Sequence, residues 1–307
     1  MQIYAGLERD YEKTAEWIGD KAYRALLEEV YTTPKPGLVD RYSNGAHKDM
    51  SLLTFEKSAD AIGGYFVKMA EEGMVYASNP QLVFSKIRKT GMLAEKAMFQ
   101  ATGNVNTHKG LIFSLGILCA STGICIQNQI QLTMKNLIHM EQKMVRTMLI
   151  DELNGINQKH QADSHGEKLY QVNGVAGVRG EALGGFSSVR KIAYPVMLDG
   201  IARGYSFNQI KLQTLMELVS QVEDTNILAR SNAETLLEMQ GLAKNFLRDG
   251  GAYAQDAEEK LKDFDKIFIQ KNVSPGGCAD LLAVTIFMES VLNRSGYFTS
   301  EGQRQAR

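Results

Sequence analysis

The sequence has no excess of charge of either sign. Its 307 residues include 34 Lys and Arg against 35 Asp and Glu, a formal net charge of −1. A protein that binds nucleic acid through phosphate backbones usually carries a strongly basic domain or stripe, because affinity grows with the number of phosphates neutralised. The balance excludes a bulk electrostatic binder of nucleic acid, so any phosphate must be held by a few placed groups.

Cysteine is scarce, and a secretory signal is missing. Three cysteines are an odd number in a chain this long, and two lie in apolar runs. Buried thiols in a reducing cytosol fit this pattern better than a disulfide framework. The first ten residues lack a cationic start followed by an apolar stretch. We therefore expect a cytoplasmic protein.

A long apolar run is also missing, although Gly110 to Met134 contains no charged residue. A membrane-spanning helix needs about 20 predominantly apolar residues. Here the apolar part stops near Ile126 and is interrupted by small polar residues and by Gly123. The segment predicts a buried core helix that stops at glycine, and no membrane span.

No stretch alternates apolar and polar residues over the length of a strand. Apolar residues instead recur at the spacing of one helix face, as over 212–222 and 261–268. Asn79-Pro80 and Ser274-Pro275 each place an N-cap residue before a proline at the first helical position. The sequence predicts a single compact all-α domain of about ten helices over residues 1–295, followed by a polar tail, 296–307, that frays.

Two segments in the first 110 residues depart from ordinary helix connections. Two prolines and Gly37 make 32–41 a rigid, extended loop, which with 44–49 delivers Lys35, Arg41, His47 and Asp49. Function concentrates on rigid loops, although a solvated charged loop is the alternative interpretation.

The second segment, 103–110, opens the apolar helix. Asn106 or Thr107 is a good N-cap, which puts His108 and Lys109 in the first helical turn. A cation in the first turn lies next to the positive end of the helix dipole, which is unfavourable unless an anion binds there. We favour a phosphate site over a tolerated surface lysine.

Three later segments complete the set. The glycine-rich stretch 174–182 carries Arg179 and Glu181, but it matches neither the dinucleotide fingerprint nor the P-loop. It could bring backbone close to a ligand or simply join two helices.

In the fourth segment, Asp224 and Asn226 are most simply explained by helix capping. In the fifth, Ser274 is also readily explained as a cap. Asp280 enters an apolar helix, where a carboxylate is rare unless it is paired or coordinating.

Together these segments resemble the triphosphoribosyl-dephospho-coenzyme-A synthase family, which makes the precursor of the prosthetic group of citrate lyase and malonate decarboxylase. The order and spacing of the segments carry the resemblance, which covers nearly the whole chain. The matching stretches are TTPKPGLVDR (32–41), GAHKDM (45–50), NVNTHKG (104–110), GVRGEA (177–182), DTN (224–226) and SPGGCADLLA (274–283).

The resemblance implies that ATP and 3′-dephospho-CoA give 2′-(5″-triphosphoribosyl)-3′-dephospho-CoA and adenine. The ribose 2′-hydroxyl of dephospho-CoA would attack, and the triphosphate would stay intact, which explains the missing P-loop. The product would pass to a transferase that loads an acyl carrier protein. The sequence does not choose between the citrate lyase and malonate decarboxylase pathways.

The family chemistry suggests roles for the charged and polar residues. Glu181 would stabilise a ribosyl cation, and His47 would be the acid that protonates departing adenine. Asp49, Asp224 and Asp280 are candidates for binding Mg²⁺, with Asp49 and Asp280 also candidate bases. The expected substrate-binding residues are Lys35, Arg41, Asn106, His108, Lys109, Arg179, Asn226 and Ser274.

Two other functions remain open at this point. An all-α, Mg²⁺-dependent phosphohydrolase or ADP-ribosyl hydrolase would use similar carboxylates and glycine-rich loops. A helical assembly factor could bind the acyl carrier subunit without catalysis. The apolar helix faces are compatible with a homodimer.

Overall fold

The computed structural model describes residues 2–158 and 165–293, and the predicted tail lies outside these ranges. Within them the chain is built from α-helices without a β-strand, which confirms the all-α prediction. A π-helical segment and a short 3₁₀ turn precede α8 and α12. The α-helices are α1 (Gln2–Tyr31), α2 (Leu52–Val75), α3 (Pro80–Thr102), α4 (Lys109–Gln127), α5 (Met134–Gln158), α6 (His165–Asn173), α7 (Gly177–Leu183), α8 (Tyr194–Ala202), α9 (Phe207–Gln221), α10 (Thr225–Arg230), α11 (Ala233–Arg248), α12 (Ala257–Gln270) and α13 (Gly276–Leu292).

The described ranges hold thirteen α-helices, more than the predicted ten or so, because capping residues divide the second half more finely. Asn232, for example, accepts a hydrogen bond from Thr235 N at 2.8 Å and starts α11. The predicted cap at Asn79 is confirmed, with Leu82 N donating at 3.1 Å. The predicted cap at Ser274 is wrong, because α13 begins at Gly276 and Pro275 holds the N-cap position.

Helix α4 is the core helix that the sequence predicts. It is the one helix in the described ranges long and apolar enough to cross a membrane, but 78% of its apolar window is buried inside the fold. Gly123 does not end it, since α4 continues to Gln127. A Cβ on Gly123 would lie 2.5 Å from the carbonyl oxygen of Ala70. The glycine therefore serves close packing of α4 against α2.

The helices bring their connecting loops together at the start of α4. Helices α1, α2 and α3 surround α4, and α13 packs on α1, α4 and α9. The loop after α1 is fixed by Asp265 of α12, which accepts from Gly37 N at 2.9 Å and from Ser43 Oγ at 2.8 Å. Long-range packing thus holds the rigid loop against the far end of the chain.

One buried carboxyl makes stability depend on pH. Burial raises the pKa of Glu141 on α5 to about 8, against the opposing effects of a hydrogen bond from Gln142 and the charge of Arg190. Between pH 4.5 and 8 the folded chain then binds more protons at this site than the unfolded chain does, so stability falls as pH rises.

Glu141→Gln keeps the shape of the side chain and removes this titration. We expect it to raise the Tm at pH 8.5 by about 3 °C or more, with a smaller change at pH 5. Thermal melts at the two pH values test this, and equal shifts at both would contradict it.

Candidate active site

The loop ends of the helices enclose a cavity of about 1210 Å³. Single-ligand pockets commonly measure about 300–1,000 Å³, so this one has room for two substrates. Residues from all five segments singled out in the sequence line it. Eleven of the predicted site residues lie there: Lys35, His47, Asp49, Asn106, His108, Lys109, Arg179, Glu181, Asp224, Asn226 and Asp280.

Two glycines allow the segments to approach so closely. A Cβ on Gly110 would lie 2.2 Å from Oδ2 of Asp280, and a Cβ on Gly277 would lie 3.0 Å from Oδ2 of Asp224. Side chains at these positions would force the first turn of α4, the first turn of α13 and the 224–226 segment apart. The close contact is the structural reason for glycine in these motifs.

Asp224 is a buried structural cap. Its Oδ1 accepts from Asn226 N at 2.8 Å and from Ile227 N at 3.3 Å, and its Oδ2 accepts from Cys278 N at 2.8 Å. Both oxygens are used in joining α10 to α13. The capping interpretation is therefore supported, and Asp224 is poorly placed to be a primary metal ligand.

Asp280 is different, because its carboxylate faces the cavity and makes no hydrogen bond or ion pair with a described residue. Burial, together with the charges of Glu29 and Asp224, raises the pKa of Asp280 well above its usual range. A carboxylate in this position needs a cation or a proton. Asp280 is thus the strongest candidate for a ligand to an arriving cation.

Lys35 is almost fully buried and already paired. Its Nζ donates to the carbonyl oxygen of Glu29 at 2.8 Å and forms an ion pair with Oε1 of the same residue. Its backbone N donates to Asp40 Oδ2 at 2.6 Å. Lys35 therefore contributes to the cavity wall as part of an ion pair, which makes it a weaker phosphate contact than a free lysine.

His108 is a neutral hydrogen-bond donor rather than a cation. Thr107 Oγ1 donates to Ser58 Oγ at 2.6 Å, which leaves Ser58 to donate to His108 Nδ1 at 2.7 Å. The proton then lies on Nε2, which has no partner among the described residues. Burial, aided by the charge of Lys35, lowers the pKa of His108 to about 3. Any contact with phosphate would use an uncharged N–H.

His47 does not suit the role of acid. Arg230 Nη2 donates to its Nδ1 at 3.0 Å, so its Nε2 carries the proton and donates to Ser274 Oγ at 2.8 Å. Burial, with the charge of Arg230, lowers the pKa of His47 to about 4, although Asp49 opposes this. The ring is neutral near pH 7, and its contacts suit it to positioning Arg230.

Glu181 lies on α7 with its carboxylate held in place. Oε1 accepts from Ser188 Oγ at 2.5 Å, and Oε2 accepts from Ser188 N at 3.2 Å. On the same helix, Arg179 Nε lies 3.5 Å from Glu152 Oε2. An oriented carboxylate in the lining of the cavity suits a centre where positive charge develops on a substrate.

The remaining predicted residues are placed less favourably. Lys109 lies half-exposed, 3.0 Å from Glu95, and Asp49 is mostly exposed. Ser274 is buried behind His47 and does not line the cavity, because its hydroxyl contacts that ring. Arg41 also lies outside the cavity, since its guanidinium covers the ring of Tyr31 at 4.4 Å. The structure thus leaves Arg41 and Ser274 without direct access to a ligand in the cavity.

Polar lining residues missed from the sequence include Arg230, Arg88, Glu29 and Ser188. Arg230 lies one turn beyond Asn226 on α10, a spacing that could have found it. Arg88 on α3 and Glu29 on α1 lie within regular helices, where nothing in the sequence separates them from surface charges. Ser188 follows Glu181 by seven positions and carries no recognisable motif.

The cavity is acidic for a phosphate site. Among the described residues lining it, seven are Asp or Glu and five are Lys or Arg. No three His, Cys, Asp or Glu in the described ranges are grouped to hold a metal ion on their own. Mg²⁺ in nucleotide sites commonly uses one or two carboxylates plus substrate phosphates. The unpaired Asp280 and the acidic lining fit a cation that arrives with its nucleotide.

Known proteins match this chain over nearly its whole length. The family model described as CitG, ATP:dephospho-CoA triphosphoribosyl transferase, matches residues 15–298. No solved structure matches.

Three curated relatives carry closely similar names. A "Probable 2-(5''-triphosphoribosyl)-3'-dephosphocoenzyme-A synthase" of Citrobacter koseri is 42% identical over 271 residues, covering 88% of this chain and 89% of the relative. A Photobacterium profundum protein of the same name is 39% identical, covering 87% and 85%. The "2-(5''-triphosphoribosyl)-3'-dephosphocoenzyme-A synthase" of Escherichia fergusonii is 38% identical, covering 89% and 90%. These matches mean that the chain belongs to the ATP:dephospho-CoA triphosphoribosyl transferase family.

Proposed function

We propose that the cavity transfers the triphosphoribosyl group of ATP to the ribose 2′-hydroxyl of 3′-dephospho-CoA and releases adenine. The family membership names the two substrates. The observation that carries the proposal is a cavity of about 1210 Å³ in which an oriented Glu181 and an unpaired Asp280 face space for both. A P-loop is not needed, because no phosphate is cleaved.

The bond changes set what the residues must do. The bond from the ATP ribose C1′ to adenine breaks, and a bond from C1′ to the acceptor 2′-oxygen forms. The hydroxyl proton leaves with adenine. Glu181 stabilises the positive charge that develops on the ribosyl ring, and Ser188 keeps its carboxylate oriented.

The triphosphate is bound by groups around the cavity. Arg230 supplies charge, while Arg179 and Lys109 would contribute as members of ion pairs with Glu152 and Glu95. His108 offers a neutral N–H, and Asn106 and Asn226 offer amides. His47 positions Arg230 and transfers no proton in this scheme.

Mg²⁺ would be held by Asp280 and the phosphates of ATP, where it would neutralise part of the triphosphate charge. Two features support this assignment: the excess of acidic side chains in the lining and the position of Asp280 among them without a hydrogen bond or ion pair to a described residue. Asp49 is the candidate for a weaker contact at the exposed edge, and Asp224 would act through the backbone amides that it binds.

The reaction can be tested with the purified chain, ATP, dephospho-CoA and Mg²⁺. Chromatography should show free adenine and, in equal amount, an adduct with an intact triphosphate. Inorganic phosphate or ADP-ribose would indicate a hydrolase instead. Intact ATP would indicate a binding protein without catalysis.

The cellular setting is part of the same proposal. We infer a cytoplasmic enzyme, since the three cysteines are buried free thiols. Its product would serve citrate lyase or malonate decarboxylase after a second transferase loads it onto an acyl carrier protein. A homodimer remains a prediction.

A further inference from the structure

The cavity continues as a groove between α3 and α4, away from the catalytic loops. The residues of α3 that line it recur on one helix face from Phe84 to Phe99. At 1.5 Å per residue this face is about 22 Å long. On the opposite wall the lining of α4 extends from Lys109 to Ile117, about 12 Å. This α3–α4 groove is thus elongated along the two helix axes.

The middle of the α3–α4 groove is apolar. A Cβ built on Gly91 would lie 3.7 Å from Met69 Cε and 3.8 Å from Ile112 Cγ2. Farther along, the rings of Phe84 and Phe113 meet edge to face, with centroids 6.5 Å apart. An occupant of this part must be weakly polar.

The two charged residues of α3 that line the α3–α4 groove are already paired. Arg88 Nη1 lies 2.9 Å from Glu152 Oε1, and Glu95 Oε2 lies 3.0 Å from Lys109 Nζ. Their ion pairs lie along the groove wall and leave its apolar middle free of unpaired charge. A triphosphate would find no unpaired cation on this face of α3.

We propose that the α3–α4 groove binds the pantetheine arm of dephospho-CoA, an inference that rests on the proposed function. The arm is an extended chain of two amides, short hydrocarbon segments and a terminal thiol, so it matches a long apolar groove that contains a methionine. An adenine base fits less well, because it is short and its ring nitrogens need hydrogen-bond partners. The groove would thus let the protein discriminate between dephospho-CoA and nucleotides that share its adenosine diphosphate part.

Gly91 offers a direct test. A Cβ on Gly91 would make ordinary van der Waals contacts without a clash, so Gly91→Ala is the matched control. Gly91→Leu would extend a branched side chain into the groove, and both changes favour helix over glycine. Isothermal titration of the full chain with dephospho-CoA and with ADP, without ATP, separates the pantetheine arm from the nucleotide part.

We expect Gly91→Leu to weaken binding of dephospho-CoA by about tenfold or more while ADP binding changes by less than about twofold. Gly91→Ala should bind both within about twofold of the unmodified chain. Unchanged dephospho-CoA affinity in Gly91→Leu would overturn the proposal, as would an equal loss for ADP. Gly91→Val serves if the leucine variant does not fold. Because these titrations need no turnover, missing adenine release would instead count against the proposed function.

Discussion

Replacing Glu181 by glutamine should lower kcat for adenine release by about 10²–10³-fold with little change in the KM for ATP. The amide keeps the size of the side chain but loses the negative charge that stabilises the ribosyl cation. Since that cation exists only in the transition state, the loss should appear in kcat. Steady-state release of adenine from ATP and dephospho-CoA measures it.

Glu223→Gln is the matched control for this variant. Glu223 also lines the cavity but is exposed, so the same chemical change there should alter kcat by less than about threefold. Ser188→Ala should give an intermediate loss, because it keeps the Glu181 charge and removes its hydrogen bond. Wild-type kcat in Glu181→Gln would remove this residue from the chemistry.

Replacing Asp280 by asparagine should weaken binding of ATP in the presence of Mg²⁺ by about tenfold or more. The same variant titrated with ATP in EDTA should bind about as tightly as the unmodified chain, because no cation then links the Asp280 carboxyl group to the triphosphate. The comparison with and without metal is therefore the internal control. Equilibrium titration with ATP under both conditions measures the difference.

The alternative role for Asp280, as the base for the 2′-hydroxyl, gives a different result. If Asp280 were the base, Asp280→Asn would bind Mg²⁺ and ATP normally and lose only kcat. Unchanged ATP affinity in this variant would therefore overturn the metal assignment. The fold should tolerate the change, because burial already disfavours the charged carboxylate, and the Tm should not fall.

The sequence predicts the fold class because helix periodicity and capping are local. It also identifies most of the cavity lining, since glycine-bearing loops with charged residues are unusual in a helical chain. The contacts that each side chain makes within the cavity could not be predicted in the same way. Lys35 is predicted to bind substrate, but it is paired with Glu29 on α1, and nothing in the sequence around Glu29 marks that residue as a partner.

Of the properties of the site, the protonation states of its side chains depend most on tertiary structure. The family chemistry suggests His47 as the acid, whereas burial and Arg230, 183 positions away, lower its pKa. Arg41 lies in one of the motifs that match the family, but its guanidinium lies outside the cavity because it covers the ring of Tyr31. Gly123 looks like a helix stop, and only the packing of α2 shows it to be a contact point.

The hydrogen bond between His47 and Ser274 joins residues 227 positions apart, and Asp265 holds a loop more than 220 positions away. A cavity closed by such distant partners forms only after both ends of the chain have found each other, a slow step with a high loop-closure cost. The ability to bind substrate should therefore return late in refolding, after most of the circular-dichroism signal of the helices. A chain cut before α12 would retain many of its helices and still lack the pocket.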